Sequence, residues 1–413
     1  MKVLHLSTTD VEGGAARAAH RLHQGLRSAG IESQMLVRAK FGIDRDVIAD
    51  NAPLTKLGPR LDSLPLRLYP HRALAMFSSQ WAPDALVPTV AQLNPDVVLL
   101  HWVCNGFLNI DSLRQFNKPL IWLMHDMWAF TGGCHYTQEC DRYTAQCGKC
   151  PHLQSSRDWD LSRWIWQRKA KAWRNLNLTI VSPSTWLAEC AQASFLLKDV
   201  PVVVIPHGLD LERYKPRDRQ FARNLLHLPL DKQLILFGAS PGTTGDARKG
   251  FQYLAPALEK LAQMGWGQTI ELVVFGGNPP DNPPNLGFKI HYLGQFQDDL
   301  SLSLVYSAAD VMVVPSVQEA FGQTASEALA CSTPVVGFKA TGLKDIVNHA
   351  TNGYLASPFD VTDLAQGIAW ILEDPERHQH LKLAAREEAE REFSLRLQAR
   401  RYLSLLTEIS SKN

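Results

Sequence analysis

The sequence predicts an α/β protein with two doubly wound domains, each containing a parallel sheet covered by helices on both faces. Three observations predict this fold class. Nearly continuous apolar runs recur along the chain, each is followed by an amphipathic helical pattern, and 413 residues exceed what one compact core ordinarily holds. Because doubly wound domains bind ligands at the carboxyl ends of their strands, functional residues are expected there.

The apolar runs form two series. The predicted strands of the first series are 2–7, 96–101, 119–125 and 178–184. The predicted strands of the second series are 202–208, 234–240, 270–276, 290–294, 310–316 and 333–338. The stretch IPHGLDLERYKP carries two prolines and a glycine, which favour a domain boundary. We therefore predict domains over 1–204 and 205–392, with an amphipathic helix at 393–413 that packs back on the first domain.

The composition is that of a globular protein, 45% hydrophobic and 20% charged. No run approaches the roughly 20 apolar residues of a membrane span, and the start lacks the pattern of a secretory signal. We therefore expect a cytoplasmic protein with reduced thiols. The net charge of +1, without a large basic patch or a recognition module, argues against a nucleic-acid partner.

Two glutamates, Glu319 and Glu327, lie in the stretch PSVQEAFGQTASEALACSTPVVG, between two predicted strands. Glu319 falls in the turn after the first strand, and Gly322 lets the backbone tighten before a helix that starts near Gln323. Each carboxylate can accept two hydrogen bonds from a vicinal diol, one on a sugar ring and one on a ribose. The alternative is that the acidic charges stabilise the helix dipole.

The predicted helix start also provides backbone amides. The first amides of a helix have no acceptor within it, so those of Phe321, Gly322, Gln323 and Thr324 are predicted to bind phosphate oxygens. The whole stretch therefore predicts a site for a phosphorylated sugar or nucleotide.

Further motifs carry a resemblance to a known family. They are STTDVEGGAARAAHRLHQGL, MHDMWAFTGGCHY, VSPSTWLAE, VIPHGLDLERYKP, ARKGFQYL, and YLGQF followed by LVYSAADVMVVPS. With the glutamate pair, they resemble glycosyltransferase family 4 over nearly the whole chain. Members of that family are retaining enzymes of the GT-B fold that transfer a sugar from a nucleotide-sugar donor. The resemblance implies two Rossmann-like domains facing a central cleft, the first on the acceptor side and the second binding the donor.

The glycine pair Gly13-Gly14 follows the first predicted strand and opens a predicted helix over 15–26. The resemblance implies that this loop lies near the donor phosphates and the acceptor, whereas the alternative is a tight strand–helix turn. The dinucleotide fingerprint G-x-G-x-x-G is absent, which argues against a nicotinamide-dependent dehydrogenase.

Arg248 and Lys249 match a basic pair of the family, which implies a role beside the donor. A cation facing the pyrophosphate would neutralise charge that grows on the leaving nucleoside diphosphate. Many members carry an arginine directly after the glycine that ends the preceding strand, but here Ala239 and Ser240 follow that glycine. Lys249 is therefore the first choice for this cation. Arg248 is a candidate second cation, but an exposed position at the start of a helix explains this arginine equally well.

His125, in a His-Asp pair, ends a predicted strand, and the resemblance implies that it lies close to the donor sugar. A structural hydrogen bond is the alternative for a histidine in this position. His207 replaces the asparagine more common in the family and is expected beside the nucleotide at the domain hinge. His125, Glu319 and Lys249 are thus the predicted catalytic residues.

The resemblance implies transfer with retention, in which the departing phosphate oxygen takes the proton of the acceptor. No paired-aspartate metal motif is present, so no cofactor is expected for catalysis. The expected acceptor is a glycan or lipid-linked molecule in the synthesis of exopolysaccharide or cell-surface polysaccharide. The alternatives are another GT-B enzyme, an epimerase or phosphorylase, or a non-catalytic, zinc-stabilised subunit that binds the donor.

Two segments, 56–77 and 157–177, combine basic and apolar residues, and the second contains four tryptophans. Such segments can lie in a bilayer interface, which would place the protein peripherally at the inner face of the plasma membrane. Ordinary helices that pack their tryptophans on the sheet are the alternative.

Four of the seven cysteines, Cys134, Cys140, Cys147 and Cys150, fall just after the His-Asp pair. Their C-x5-C-x6-C-x2-C spacing is compatible with a structural zinc ion held by four thiolates, with His135 and His152 as alternative ligands. Two disulfides and four free buried thiols are the other interpretations, of which a cytoplasmic location disfavours the first. Zinc is the first of these interpretations, and we expect the segment to be a local clip outside the transfer chemistry.

Overall fold

The computed structural model describes residues 1–238 and 246–411 and divides into two compact units. The first unit comprises Met1–Gly208 with Leu395–Asn413, and the second comprises Leu209–Ser394. The chain leaves the first unit four residues after the predicted boundary. Ala239, Ser240 and the last two residues of the predicted C-terminal helix lie outside the described residues.

The first unit contains a parallel sheet in the order β3-β2-β1-β4-β5-β6-β7 among the residues described. Its strands are β1 Lys2–Thr9, β2 Glu32–Ala39, β3 Val47–Ala49, β4 Val97–Leu100, β5 Leu120–Leu123, β6 Leu178–Ser182 and β7 Val202–Val204. The central strands β4 and β5 are buried along their whole length, as expected for a sheet covered on both faces.

The helices that follow these strands begin with α1, Gly14–Ser28, which contains the predicted helix. The others are α2 Pro53–Ser63, α3 Leu86–Leu93, α4 Leu161–Ala172 and α5 Thr185–Ala193. Local side chains define two of the starts, since Asp160 accepts a hydrogen bond from the amide of Arg163 and Ser184 accepts one from that of Leu187.

The second unit has its own parallel sheet, ordered β10-β9-β8-β11-β12-β13 within the described part of the chain. Its strands are β8 Gln233–Gly238, β9 Ile270–Phe275, β10 Ile290–Tyr292, β11 Val311–Val314, β12 Val335–Phe338 and β13 Gly353–Ala356. Its helices are α6 Arg219–Leu225, α7 Phe251–Gln263, α8 Asp299–Ala308, α9 Gln323–Ala330, α10 Val361–Glu373 and α11 Pro375–Glu392. Apolar clusters on both faces of the sheet form the core.

The C-terminal helix α12, Leu395–Ser411, belongs to the first unit and packs against α1. A Cβ atom added to Gly25 of α1 would lie 2.9 Å from Leu395 Cδ1, so the glycine permits this close approach. Tyr402 and Leu406 of α12 are buried in the same core as Leu22 of α1.

The structure corrects the predicted strands in two respects. The run at 202–208 was assigned to the second series, but its strand β7 pairs with β6 in the first sheet. Three strands were missed, β2, β3 and β13, since β3 has only three residues, β13 is the short run GYLA that starts with a glycine, and β2 is interrupted by polar side chains. In the part of the chain that the structure describes, no helix is long and apolar enough to cross a bilayer.

Candidate active site

Lys249 and Glu319 form an ion pair in the second unit, beyond the carboxyl end of β11. Lys249 ends a short 3-10 turn, and its Nζ donates a hydrogen bond to Glu319 Oε2 at 2.8 Å. Ser316 Oγ donates to the same oxygen at 3.3 Å, and the amide of Glu319 donates to Thr341 Oγ1 at 3.1 Å. Two of the predicted catalytic side chains are therefore in direct contact, and backbone and side-chain hydrogen bonds hold the glutamate in place.

The protonation state of Glu319 follows from its neighbours. Burial would raise its pKa, but the positive charges of Lys249 and Arg248 lower the pKa below its ordinary value. At neutral pH the group is a carboxylate, which only accepts hydrogen bonds. It is thus suited to bind hydroxyl groups rather than to donate a proton.

Gly250 explains how the 3-10 turn comes so close to this strand end. Its φ is 75°, and an added Cβ would lie 1.8 Å from the carbonyl oxygen of Pro315. The amide of Val317 also donates to the carbonyl of Arg248 at 2.8 Å. Contacts of the backbone, rather than of side chains alone, therefore place Lys249 opposite Glu319. Arg248 pairs with Asp246, and its Nη2 lies 2.9 Å from the Oδ2 of Asp246.

The helix start predicted near Gln323 is confirmed, since α9 begins at that residue. Gly322 is its N-cap with φ 107°, a conformation that favours glycine. Phe321 is buried against Phe393, whereas Gln323 and Thr324 of the first turn are half-buried. The positive end of the α9 dipole thus lies three residues from Glu319.

Glu327 is buried within α9 and accepts a hydrogen bond from the Tyr306 hydroxyl at 2.9 Å. Burial, followed by the charge of Glu327, raises the pKa of Tyr306 well above its ordinary value. The tyrosine therefore remains a neutral donor to this carboxylate. Sequence reasoning did not single out Tyr306, although it lies in the motif LVYSAADVMVVPS; it is on α8, 21 residues before Glu327.

In the first unit, the glycine pair lies in the exposed turn between β1 and α1. Gly13 has φ 87° and is the N-cap of the helix, and an added Cβ would meet nothing within 4 Å. The backbone conformation alone therefore accounts for Gly13, and the space around it stays open.

His125 follows β5 in a network that also involves Asp126. Asp126 Oδ2 lies 2.6 Å from His135 Nδ1 and accepts a hydrogen bond from Trp102 Nε1 at 3.0 Å. Burial would raise the pKa of Asp126, but His135 lowers it below its ordinary value. Asp126 thus fixes the turn that carries His125, and its partner is His135 rather than His125.

His125 has histidine neighbours on both sides. Its Nε2 lies 3.2 Å from His101 Nδ1, and its ring stacks on that of His207 with centroids 5.2 Å apart. His101 in turn places its Nε2 2.9 Å from His5 Nδ1. Burial lowers the pKa of His125 to about 4, and it lowers the pKa values of His5, His101 and His207 well below the ordinary value. These rings are neutral at physiological pH.

Sequence reasoning missed His101 and His5, although a signal was present for His101. Each lies in or directly after an apolar run, as His125 does, and β1, β4 and β5 are consecutive in the sheet. Polar residues at the ends of neighbouring parallel strands meet at one edge, so His101 and His125, which follow β4 and β5, were candidates for one cluster. His5 lies inside β1, where this signal does not apply.

The four cysteines of the segment line one small cavity together with His152. All four are described and free, so none forms a disulfide in this structure. Burial raises the pKa of Cys147 to about 12 and that of Cys150 to about 11.

Across residues 1–238 and 246–411, no three His, Cys, Asp or Glu side chains are arranged to hold a metal ion. His135, an alternative zinc ligand in the sequence prediction, instead contacts Asp126 and Ser78 through its two ring nitrogens. The zinc ion therefore stays a prediction.

Two family models match most of the chain. Residues 12–213 match the model described as Glycosyltransferase Family 4, and residues 243–388 match the model described as Glycosyl transferases group 1. The chain belongs to glycosyltransferase family 4. This confirms the resemblance inferred from the motifs. His101, His125 and His207 lie within the first matched range, and the Lys249–Glu319 ion pair lies within the second.

The chain is also similar to individual proteins over part of its length. It is 34% identical over 210 residues to a D-inositol 3-phosphate glycosyltransferase of Saccharomonospora viridis, a match covering 47% of each chain. It thus spans about half the length of the curated relatives it matches.

Among solved structures, sucrose-phosphate synthase from Thermosynechococcus elongatus has a TM-score of 0.72 at 22% identity, covering 100% of both chains. HepE from Anabaena in complex with UDP-glucose has a TM-score of 0.67 at 18% identity, covering 99% of this chain and 100% of that one. These likenesses confirm the predicted GT-B fold.

Proposed function

We propose that the chain is a retaining glycosyltransferase that moves a sugar from a nucleotide-diphospho-sugar to a glycan or lipid-linked acceptor. The observation that carries this proposal is the Lys249–Glu319 ion pair beside the N-terminus of α9. A cation, an ionised carboxylate and the positive end of a helix lie together, as a sugar bound to a diphosphate requires. The cation and the helix suit the phosphates, and the carboxylate suits the sugar hydroxyls.

In the proposed mechanism, the bond between the anomeric carbon and the diphosphate breaks as the acceptor hydroxyl approaches on the same face. Negative charge then grows on the departing diphosphate, and Lys249 stabilises it. The departing phosphate oxygen takes the acceptor's proton, so Glu319 does not have to act as a proton donor. The low pKa of Glu319 agrees with a role in holding the sugar.

The donor proposed for a first trial is UDP-glucose, because the similar HepE structure contains that nucleotide sugar. For the acceptor, we propose a glycan or lipid-linked molecule of exopolysaccharide or cell-surface polysaccharide synthesis. A second candidate is an inositol phosphate, which the names of the curated relatives favour.

A peripheral position on the inner face of the plasma membrane is proposed for the segments 56–77 and 157–177. In the first segment, Leu68, Leu74 and Met76 are exposed. In the second segment, Trp159 and Trp164 are exposed, whereas the other two tryptophans are buried. Exposed apolar side chains interspersed with arginines and lysines are typical of interfacial binding, and sedimentation with anionic vesicles tests it.

We further propose that the cysteine loop binds a structural zinc ion outside the transfer chemistry. The support is chemical: four thiols and His152 line one cavity, and His152 Nε2 is buried without a hydrogen-bond partner among the described residues. A structural zinc ion is typically held in tetrahedral geometry by four such ligands, with bonds of about 2.3 Å to sulfur.

The deciding experiment combines a donor screen with a transfer assay. Nucleotide sugars that bind the folded protein raise its melting temperature, and the donors found are then incubated with inositol phosphate and with lipid-linked and glycan acceptors. We expect a glycoside product of unchanged anomeric configuration, and a Glu319→Gln variant that forms it at least about 100-fold more slowly.

The control variant is Glu259→Gln, on an exposed part of α7. Wild-type rates in Glu319→Gln would refute the site assignment. Conversion of the donor without transfer would instead favour an epimerase or a phosphorylase. Donor binding without any turnover would favour a non-catalytic binding subunit.

A further inference from the structure

Three histidines of the first unit form a continuous hydrogen-bonded chain. His5 Nδ1 lies 2.9 Å from His101 Nε2, and His101 Nδ1 lies 3.2 Å from His125 Nε2. His5 and His101 are buried, whereas His125 is half-buried and ends the chain. Each contact joins the Nδ1 of one ring to the Nε2 of the next.

This alternation restricts the positions of the protons. A neutral imidazole has one N–H and one acceptor nitrogen, so each contact needs a donor on one ring and an acceptor on the other. If one ring carries its proton on Nδ1, the other two must do the same. The three-histidine chain therefore has two possible arrangements of its protons, with all three on Nδ1 or all three on Nε2.

His5, at the buried end of the three-histidine chain, selects between these two proton arrangements. His5 Nε2 is buried and has no hydrogen-bond partner among the described residues. Protons on Nε2 would leave an N–H group without an acceptor there, and orphaned buried donors are rare in folded proteins. Protons on Nδ1 leave only a lone pair at His5 and place an N–H at half-buried His125, where an outside oxygen can accept it.

We propose that the His5–His101–His125 chain holds His125 as the Nδ1–H tautomer, so that it donates a hydrogen bond to an oxygen of the bound sugar. His101 and His5 are positioning residues, since they act through His125. The tautomer is a property of the protein alone, whereas the sugar oxygen as acceptor rests on the proposed function. In this arrangement His125 is a donor and its Nε2 is occupied, so it is not a general base.

Nitrogen NMR of the full chain with labelled histidine tests the tautomer without any substrate. Correlations between ring nitrogens and carbon-bound protons distinguish Nδ1–H from Nε2–H, and single His→Gln variants assign the signals. We expect His5, His101 and His125 as Nδ1–H tautomers at pH 7.5. In His101→Leu, the Nε2 of His125 loses its donor, so the His125 signals should shift toward the Nε2–H tautomer. A wild-type His125 with its proton on Nε2 would overturn the proposal.

Activity of the full chain tests the donated hydrogen bond. The side-chain amide of asparagine occupies the place of Nδ1 and that of glutamine the place of Nε2. We therefore expect His125→Asn to retain about 10-fold more transfer than His125→Gln, the value of one good hydrogen bond. The matched control is His227→Asn, at an exposed position with φ 54° that asparagine tolerates.

Glutamine as the better replacement would overturn the donor role. Complete absence of transfer in the wild-type chain, with the Nδ1–H tautomers observed, would refute the proposed function and leave the histidine chain standing.

Discussion

The two units have parallel sheets of similar order, but the chemistry at their strand ends differs. In the first unit the candidate residues are neutral histidines whose pKa values burial lowers, and they contact one another. In the second unit they are Lys249 and Glu319, a charged pair beside a helix N-terminus. Under the proposed function, the second unit would neutralise the charge of the donor, whereas the first would supply uncharged hydrogen bonds.

The strongest test of this difference removes the positive charge of the second unit. We expect Lys249→Met to lower the turnover number of sugar transfer by roughly 10²–10³-fold, because the lost cation faces charge that develops in the transition state. Lys260→Met, on the exposed side of α7, is the matched control. Steady-state kinetics measures both variants. A turnover number within about threefold of wild type in Lys249→Met would show that the charge of this unit is not used in the reaction.

A second test moves the cation without removing it. Gly250→Ala forces a Cβ against the Pro315 carbonyl oxygen at a residue with φ 75°, so we expect the free energy of unfolding to fall by about 2–4 kcal/mol. Gly265→Ala is the control, since it also has positive φ, 96°, but no atom within 4 Å of the added Cβ. It should cost about 1 kcal/mol. Equal losses in urea unfolding would mean that the contact with Pro315 does not hold the turn.

The histidines predict a different sensitivity to acid in the two units. Burial lowers the pKa values of His23 and His125 to about 4, and it lowers those of His5, His101 and His207 well below their ordinary value. The unfolded chain therefore binds more protons than the folded chain below about pH 6.5. The contribution of these histidines to the free energy of unfolding of the first unit is therefore fully present above that pH. It falls as the pH drops toward 4, by up to about 1.4 kcal/mol per pH unit for each histidine.

Hydrogen exchange measured by mass spectrometry at pH 7, 6 and 5 reports the two units separately. In the described part of the second unit, burial lowers the pKa of His378, against the five histidines named above for the first unit. That unit should lose less protection than the first. Equal losses would remove the proposed difference in charge between the two regions.

The smallest expected effect on transfer comes from the cysteine loop. We expect purified protein to contain one zinc ion per chain, and removal of the ion by a chelator to loosen the loop while changing the turnover number little. Elemental analysis and transfer kinetics measure the two effects, with Cys331→Ser as a control for a buried cysteine outside the loop. Absence of zinc from protein prepared without chelator would favour four free thiols.

Much of the second-unit site was predictable, because its parts are close in sequence. Glu319, Gly322 and the start of α9 lie within a few residues of one another, so local turn and helix signals predicted them. Lys249 is 70 residues away from Glu319, and its contact depends on β8 and β11 being neighbours in the sheet. The basic pair was a candidate from its motif, but its distance from the glutamate came only with the fold.

The first-unit site was less predictable. His5 and His101 lie 96 residues apart, and nothing local distinguishes either from a histidine satisfied within its own strand. The assignment of 202–208 to the wrong sheet has the same origin, since the sequence of a three-residue strand does not indicate which strand it pairs with.

The sequence by itself determined the apolar strands, the glycine turns with positive φ and the residue types available for chemistry, because each depends on local backbone and side-chain properties. The tertiary structure decided which strands are neighbours, and with that which polar side chains meet at a strand end. Burial then lowered the pKa values of the histidines, and ion pairing lowered that of Glu319. Such shifts depend on atoms brought together from distant parts of the chain, so no local pattern could have predicted them.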